Sequence, residues 1–423
     1  MANNISYNSP RGMRDFYPED MAKRNYIFDA WRQAATEFGF LQYDACVVES
    51  LDLLKRKAGE EIVDQIYAFK DKSDRDLALR PEMTPTLARM IVNKQGSLSF
   101  PVKWFALAQC FRYERMTRGR KREHYQWNLD IIGEESVSAE TEVLASAVRG
   151  LELLGLSSTD VKIHFSSRRL LGELLVALGI DEKFHQAAFL ALDKRGKISD
   201  EEISKLLLTE GVSEEGTAQV FGLLNINTLA DVELILKEET PGLLNIKEFI
   251  ELAKIYNLEN ILEFDISVIR GLSYYTGIVF EGFDAAHGFR AIFGGGRYDN
   301  LLTSIGGKPQ TAVGLGFGDV VIAEILSDLG RFDEVNQSAE YAVAYMDDEQ
   351  KDTAVKVAMK LRSKGNSVDL ALHAEKPKKF FKRCERDSFG KAILIGSDDV
   401  EKQIVRVKEL ATREQVEVKI EEL

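Results

Sequence analysis

Apolar residues recur along the chain with two periods, and these periods predict its elements. Helical spacing marks residues 14–38, where Gly39 ends the run, and residues 138–155. A further helix is predicted after the segment LRPEMT, with Thr84 as its N-cap and Pro85 in its first turn. Residues 41–50 predict a strand, and 64–79 predict a hairpin. Residues 102–132 predict a long antiparallel hairpin with a charged tip.

The rest of the pattern divides the chain into blocks. Residues 168–258 are helical and acidic, and we interpret them as an insertion between two parts of one core, 1–167 and 259–332. Strands return in the second part, from ILEFDISVIRG onwards, and the glycine-spaced strand TAVGLGFG leads into a helix. After a polar linker, residues 339–423 alternate strands and helices, which predicts a small α/β domain.

Composition excludes several classes of protein. With 45% hydrophobic and 29% charged residues among 423, the chain is neither a disordered tail nor a fibre. No apolar run is long enough to predict a membrane span, and no secretory signal is apparent at the N-terminus. The three cysteines are far apart, which favours a reducing, cytoplasmic setting. A net charge of −13 argues against general nucleic-acid binding, unless local basic patches provide it.

Candidate chemistry lies on the long hairpin and just before it. Glu82, at a strand-to-helix junction, could bind an ammonium group or serve as an acid at a helix N-terminus. Arg112 and Glu114 share one face of the outgoing strand. Gln126, Asn128 and Asp130 share one face of the returning strand. Together these residues suit a zwitterion and a phosphate, and the alternative is a salt-bridged solvent face.

Two basic patches offset the acidic total. Residues 115–122, at the hairpin tip, carry five cations, which fits either a phosphate-rich partner or a solvated charge run. The segment KPKKFFKRCER, with Lys378 and Lys379, combines cations with phenylalanines. It fits single-stranded bases, or an amphipathic helix whose phenylalanines face the core.

The segment VIRGLSYYTGIVFEG contains an arginine followed by two tyrosines. Arg270, Tyr274 and Tyr275 suit an anionic or aromatic ligand, unless the tyrosines are core residues of a hairpin. In TAVGLGFG, alternate glycines share one face, so either a flat ligand or a packed neighbour approaches that backbone. Neither a dinucleotide-binding nor a P-loop motif occurs, and the histidines lack metal-ligand spacing. Without an evident nucleophile, in-line displacement at phosphorus fits best.

These segments together resemble a known family. SPRGMRDFYP, LRPEMT, CFRYER, GRKREHYQWNLDIIG, VIRGLSYYTGIVFEG and GGGRYDNL, in this order, are similar to the histidyl-tRNA synthetases. The resemblance implies an α+β, class II synthetase fold, in which helices flank an antiparallel sheet. It also implies a helical insertion, a C-terminal α/β anticodon-binding domain and a homodimer. Histidine and ATP would form histidyl-adenylate, and tRNA(His) would then accept the histidyl group.

The resemblance also implies roles for individual residues. Arg112 would hold the α-phosphate and the histidine carboxylate, and Arg270 would stabilise charge on the α-phosphate during adenylation. Asp130 and Tyr275 would contact the imidazole, and Tyr298 would lie beside the pocket. The other implied histidine contacts are Glu82, Met83, Thr84, Gln126 and Tyr274, with Glu82 and Gln126 at the α-amino group. The remaining implied contacts are Glu114, Arg120 and His124 for ATP, and Arg118, Lys378 and Lys379 for tRNA. Mg²⁺ would arrive with ATP, without a protein metal cage.

The chain departs from the family pattern at four positions. Val321 stands where motif 3 usually has an arginine that holds the γ-phosphate, so that cation must come from elsewhere, with Arg118, Arg120 and Arg122 as candidates. Cys46 replaces the motif 1 proline. Asp130 replaces a glutamate, and His124 replaces the aromatic residue that stacks on adenine.

Two other functions remain as alternatives. The first is a catalytically inactive paralogue that regulates ATP phosphoribosyltransferase in histidine biosynthesis; the missing motif 3 arginine favours it. Such paralogues usually lack the anticodon-binding domain and the RGLxYY residues, and this chain has both. The second is another class II synthetase, against which Arg270, Tyr274 and Tyr275 argue.

Overall fold

An eight-stranded sheet is the largest element of the computed structural model, which describes residues 7–56, 63–194, 198–226, 228–269, 274–286, 288–333, 335 and 338–423. Its strand order is β1-β5-β6-β11-β10-β9-β7-β8. The pairs are antiparallel except the outer ones, β1 with β5 and β7 with β8. The strands are β1 (Leu41–Gln42), β5 (Val102–Phe111), β6 (Glu123–Ile132), β7 (Val161–Ser167), β8 (Leu262–Phe264), β9 (Ile278–Asp284), β10 (Phe293–Arg297) and β11 (Ala312–Gly318).

The two faces of this sheet carry different residues. On β6, Trp127, Leu129 and Ile131 are buried in the main hydrophobic core, whereas the alternate residues Gln126, Asn128 and Asp130 are polar. On β11, Val313, Leu315 and Phe317 join the same core, and glycines occupy the other face. Trp31 stacks on Trp127 with ring centroids 5.7 Å apart. The period of two therefore separates a packed face from a polar one.

Helices and a small sheet surround these strands. A three-stranded antiparallel sheet has the order β2-β4-β3. Its strands are β2 (Val48–Ser50), β3 (Tyr67–Lys70) and β4 (Asp76–Leu79). Before the C-terminal region, the described helices outside the insertion are α1 (Pro18–Glu37), α2 (Leu51–Lys55), α3 (Thr84–Lys94), α4 (Ser138–Leu153), α11 (Leu301–Ser304) and α12 (Asp319–Asp328). A buried ion pair between Arg297 of β10 and Glu140 of α4, 2.6 Å apart, joins the sheet to its helical layer.

Six α-helices of the described residues lie between β7 and β8. They are α5 (Arg168–Ala177), α6 (His185–Asp193), α7 (Asp200–Thr209), α8 (Glu214–Leu223), α9 (Leu229–Leu236) and α10 (Pro241–Ile255). Hydroxyl side chains begin several of them: Ser199, Ser213, Thr228 and Thr240 each accept a hydrogen bond from a backbone N–H of the first turn. Local capping thus explains why this polar, acidic stretch is divided into short helices.

The C-terminal region is a second compact unit, made of the described residues after Asp333 together with residues 18–22. Its sheet has the order β13-β12-β14-β15-β16, parallel among the first three strands and antiparallel after them. The elements are β12 (Tyr341–Tyr345), α13 (Lys351–Ser363), β13 (Val368–Leu370), α14 (Pro377–Arg386), β14 (Lys391–Ile395), α15 (Ser397–Lys402), β15 (Ile404–Glu409) and β16 (Gln415–Lys419). The α+β fold class and the small α/β domain are confirmed.

Three local predictions were wrong. The strand predicted at 41–50 is interrupted, because only β1 and β2 are paired there. Thr84 is the first residue of α3 and not its N-cap, a position held by Met83 without a side-chain hydrogen bond. Among the described residues of ILEFDISVIRG, the predicted strand is limited to β8. The domain boundaries stay predictions. In the described part of the chain, no helix has the length and apolar character needed to cross a bilayer.

Candidate active site

The polar face of β6 lies beside the glycine face of β11. The register places Asp130 opposite Gly314, Asn128 opposite Gly316 and Gln126 opposite Gly318. A Cβ atom at Gly314 would collide with the Asp130 carboxylate, and one at Gly316 would come within 2.8 Å of Gln126 Nε2. Packed side-chain neighbours are therefore what approaches this backbone. The glycines give those polar side chains the room to lie flat along the sheet.

Two connected clefts open on this face. The inner cleft is lined by Glu82, Thr84, Arg112, Gln126, Asn128, Tyr274, Tyr275, Gly294, Tyr298, Gly314, Leu315 and Gly316. The outer cleft is lined by Arg112, Glu114, Gly119, Arg120, Lys121, His124, Gln126, Glu281, Arg290, Ala291, Ile292, Phe293, Gly294, Gly316, Gly318, Val320 and Val321. Arg112, Gln126, Gly294 and Gly316 line both, so two ligand groups could meet at Arg112.

Acidic and phenolic side chains converge in the inner cleft. Glu82 is 5% exposed, and its carboxylate accepts a hydrogen bond from the Tyr274 hydroxyl at 3.2 Å. It precedes the N-cap residue Met83 and therefore lies outside the first turn of α3. The ring centroids of Tyr274 and Tyr275 lie 4.9 Å apart. A buried carboxylate beside hydroxyl groups suits an ammonium ligand.

Asp130 lies beneath the inner cleft, behind Tyr298. The Tyr298 hydroxyl donates to Asp130 Oδ1 at 2.5 Å, and Oδ2 is buried without a hydrogen-bond partner. Burial raises the pKa of Asp130 to about 7, although the Tyr298 hydrogen bond acts in the opposite direction. Burial and the Asp130 charge also raise the pKa of Tyr298 well above its usual value. Asp130 can thus change its ionisation near neutral pH.

Arg112 is held at the junction of the clefts. Its Nε donates to the Pro81 carbonyl at 2.9 Å. This bond fixes one edge of the guanidinium and leaves its other N–H groups for a ligand. Met83, predicted to contact histidine, is fully buried and packs with Ala106, Ala108 and Cys110.

The outer cleft combines several cations with two carboxylates. Glu114 Oε2 lies 2.8 Å from Arg120 Nε and 3.6 Å from Arg290 Nη1. Burial, together with the charges of Arg112 and Arg14, lowers the pKa of His124 well below its usual value. The imidazole is therefore neutral at pH 7 and offers a flat, uncharged ring beside the arginines.

The cations at the hairpin tip have different surroundings. Arg118 forms ion pairs with Glu324 and Asp328 of α12, at 3.0 and 2.5 Å. The guanidinium carbon of Arg122 lies 3.8 Å from the Tyr113 ring centroid. Among the tip arginines that were candidates for holding phosphate, only Arg120 lines the described outer cleft.

In the C-terminal unit, α14 is amphipathic. Phe380 is fully buried, and Phe381 is partly buried against the same cluster, so the phenylalanines face the core and the alternative interpretation of the aromatics is the right one. Lys378 and Lys379 are exposed. Arg383 is held by Asp369 at 2.5 Å and by Glu375. The exposed lysines therefore remain available to a partner.

The sequence interpretation missed two charged lining residues of the outer cleft, and one predicted residue cannot be placed. Glu281 lies on β9, where its polar position in the run IVFEGF was a usable signal. Arg290 lies in the connection between β9 and β10, and no pattern marked it. Arg270 lies outside the described residues. Among the described residues, no group of three or more His, Cys, Asp or Glu could hold a metal ion.

Comparison with known proteins gives full-length matches. Residues 12–318 match a family described as Histidyl-tRNA synthetase, and residues 340–423 match one described as Anticodon binding domain. The chain is 44% identical over 419 residues to the chloroplastic/mitochondrial histidine–tRNA ligase of Arabidopsis thaliana, covering 99% of this chain and 86% of that protein. It is 37% identical to the histidine–tRNA ligase of Opitutus terrae, covering 99% and 97%.

Solved structures share the fold. Histidyl-tRNA synthetase from Nostoc sp. PCC 7120 superposes with a TM-score of 0.83 at 24% identity, covering 98% of this chain and 97% of that one. A Bacillus halodurans protein, titled as an ATP phosphoribosyltransferase regulatory subunit/histidyl-tRNA synthetase, has a TM-score of 0.74 at 21% identity, covering 94% and 100%.

Proposed function

This chain belongs to the histidyl-tRNA synthetase family, and on that premise we propose how it ligates L-histidine to tRNA(His). Histidine binds in the inner cleft and ATP in the outer one. The observation that supports this assignment is the continuity of the two clefts at Arg112 and Gln126. A carboxylate and an α-phosphate placed in the two clefts would meet beside the same guanidinium.

In the first step a histidine carboxylate oxygen attacks the α-phosphorus of ATP. A new P–O bond forms, the bond to the bridging oxygen breaks, and pyrophosphate leaves with the electron pair. Arg112, oriented by its bond to Pro81, offsets the negative charge shared by the two reacting groups. Positioning and charge stabilisation suffice for such a displacement, so no protein nucleophile is needed. Arg270 adds a second cation at the α-phosphate, a role taken from the resemblance.

Recognition of histidine uses both ends of the amino acid. Glu82 and Gln126 hold the α-ammonium group, with Thr84 and Tyr274 beside them. Tyr275, Tyr298 and the Asp130 carboxylate beneath Tyr298 hydrogen-bond the imidazole. An amino acid without ring nitrogens would leave the buried Asp130 Oδ2 without a hydrogen-bond partner, which penalises its binding. The unpartnered Asp130 Oδ2 supports this part of the proposal.

ATP is held in the outer cleft by stacking and by charge. The neutral His124 ring stacks on adenine, Glu114 contacts its amino group, and Arg120 extends towards the phosphates. Glu281 would supply a carboxylate oxygen of the kind that Mg²⁺ accepts, so the lining fits a magnesium–ATP complex. When bound, Mg²⁺ neutralises phosphate charge.

In the second step a terminal ribose hydroxyl of the tRNA attacks the carbonyl carbon of the adenylate. An ester forms, and AMP and a proton leave. The hairpin tip with Arg118 contacts the acceptor end after exchanging its acidic partners on α12 for phosphates. Lys378 and Lys379 contact the anticodon region, which their exposure supports.

The enzyme acts as a homodimer in this proposal. Leu41 and Val48, in the segment that resembles motif 1, are 68% and 39% exposed. Sedimentation should give twice the chain mass of 47.6 kDa, and a monomer at micromolar concentration would contradict the proposal.

A reducing compartment, the cytoplasm, is the proposed location. The free thiols of Cys46, Cys110 and Cys384 support it. Fluorescence of a tagged chain would distinguish the cytoplasm from an organelle such as those named for the Arabidopsis relative.

The regulatory alternative rests on Val321, where the family has a phosphate-binding arginine. Histidine-dependent exchange of pyrophosphate into ATP, without tRNA, separates the two functions. The proposed enzyme exchanges with histidine and with no other amino acid. Folded protein that exchanges with none would favour the regulator.

A further inference from the structure

One cation of the outer cleft has no counterpart among the family motifs. Arg290 lies between β9 and β10, three residues before Phe293 begins β10. Its side chain lines the outer cleft, is 43% exposed, and reaches within 3.6 Å of Glu114 Oε2. Solvent and an incoming ligand can therefore both reach this guanidinium.

The connection that carries Arg290 packs where the motif 3 arginine is missing. A Cβ atom placed on Gly119 would lie 3.4 Å from Val321 Cγ2 and 3.5 Å from Phe289 Cδ1. Phe289 precedes Arg290, and Val321 occupies the position of the missing arginine. The β9–β10 connection, the start of α12 and the hairpin tip thus meet at one corner of the cleft.

The other candidate cations are placed differently. Arg118 is paired with Glu324 and Asp328, and Arg122 stacks on Tyr113. Arg120 lines the cleft and shares Glu114 with Arg290.

The outer cleft has an excess of positive charge, which favours an anionic ligand. Its described lining includes four cations, which are Arg112, Arg120, Lys121 and Arg290, and two carboxylates, which are Glu114 and Glu281. Partial burial lowers the pKa of Arg290, and the nearby charges of Arg120 and Arg112 lower it further. A bound polyanion would reduce the repulsion between like charges that lie this close together.

We propose that Arg290 binds the outer phosphates of ATP in place of the arginine that motif 3 lacks. This proposal deepens the proposed function and rests on it. The guanidinium fork suits bidentate contact with phosphate oxygens.

Equilibrium binding of ATP and of AMP to the full-length chain tests the proposal, because AMP lacks the outer phosphates. Isothermal titration of Arg290→Gln should show ATP affinity reduced about 10- to 100-fold, as expected for a lost charge-assisted contact, and AMP affinity unchanged. Arg290→Lys keeps the positive charge without the guanidinium fork, so its ATP affinity should fall less than that of Arg290→Gln. Arg32→Gln is the matched control, since Arg32 is 45% exposed and lies on α1.

The converse test places an arginine at the motif 3 position. Val321→Arg in the Arg290→Gln background should recover part of the ATP affinity. Unchanged ATP affinity in Arg290→Gln would overturn the proposal, as would an equal loss for ATP and AMP, which would indicate a general distortion. Binding does not require turnover, so these results are independent of pyrophosphate exchange, whose absence in the wild-type chain would instead contradict the proposed function.

Discussion

Asp130 should make the stability of the catalytic unit, which is the first compact unit (the described residues of 1–17 and 23–333), depend on pH between 4 and 8. Its carboxyl is buried, and its pKa is raised from 3.8 to about 7. In that interval the folded chain keeps a proton that the unfolded chain has released, so stability falls as pH rises and levels off above about 7. The difference between the two pKa values corresponds to about 4 kcal/mol, of which about 3 kcal/mol falls between pH 5 and pH 8.

Asp130→Asn removes this titration while preserving shape. The new amide nitrogen at the Oδ2 position lacks a partner, which costs about 1–3 kcal/mol at every pH. This cost is the same at every pH, so it can be separated from the pH-dependent contribution of the Asp130 carboxyl. The unfolding free energy of the variant, relative to wild type, should therefore rise by about 3 kcal/mol from pH 5 to pH 8.

Urea unfolding followed by tryptophan fluorescence measures this difference. Trp31, Trp104 and Trp127 all belong to the catalytic unit, so the signal reports that unit. Asp29→Asn is the control, because Asp29 is 70% exposed and its difference from wild type should stay flat. A flat difference for Asp130→Asn as well would refute the inference that a buried carboxyl titrates near pH 7.

Other variants test the binding roles. Tyr275→Phe should raise the KM for histidine about 5- to 10-fold, because one hydrogen bond is lost. An unchanged KM would mean that Tyr275 does not recognise the imidazole. Replacing both Lys378 and Lys379 by Glu should weaken tRNA binding and flatten its salt dependence in filter binding, and an unaltered slope would place the anticodon elsewhere. Arg270→Ala should slow adenylate formation by orders of magnitude in stopped-flow experiments while leaving tRNA affinity nearly intact, and unchanged adenylation would remove its catalytic role.

Strand alternation accounts for most of what the sequence could predict. Gln126, Asn128 and Asp130 share the polar face of β6 because side chains alternate, whatever the surrounding fold. The same rule places the alternate glycines of β11 on one face of that strand, and in the sheet this face lies beside the polar face of β6. Long amphipathic helices such as α4 were equally predictable, since their period persists over several turns.

Tertiary contacts determine the features of the site that the sequence pattern could not predict. Arg118 meets Glu324 and Asp328 across more than 200 residues of sequence, so its ion pairs had no local signal. Arg290 lies in a connection without periodicity, and only the packing of that connection brings it to the cleft. The raised pKa of Asp130 depends on burial behind Tyr298, which no spacing encodes.

Transfer of labelled histidine to tRNA tests the central claim most directly. Wild-type chain, ATP and magnesium should charge purified tRNA(His) to a plateau near one histidine per molecule. Other tRNAs should stay uncharged. Folded protein that charges no tRNA(His), with ATP and histidine both saturating, would contradict the assignment of the two clefts to a histidine–tRNA ligase.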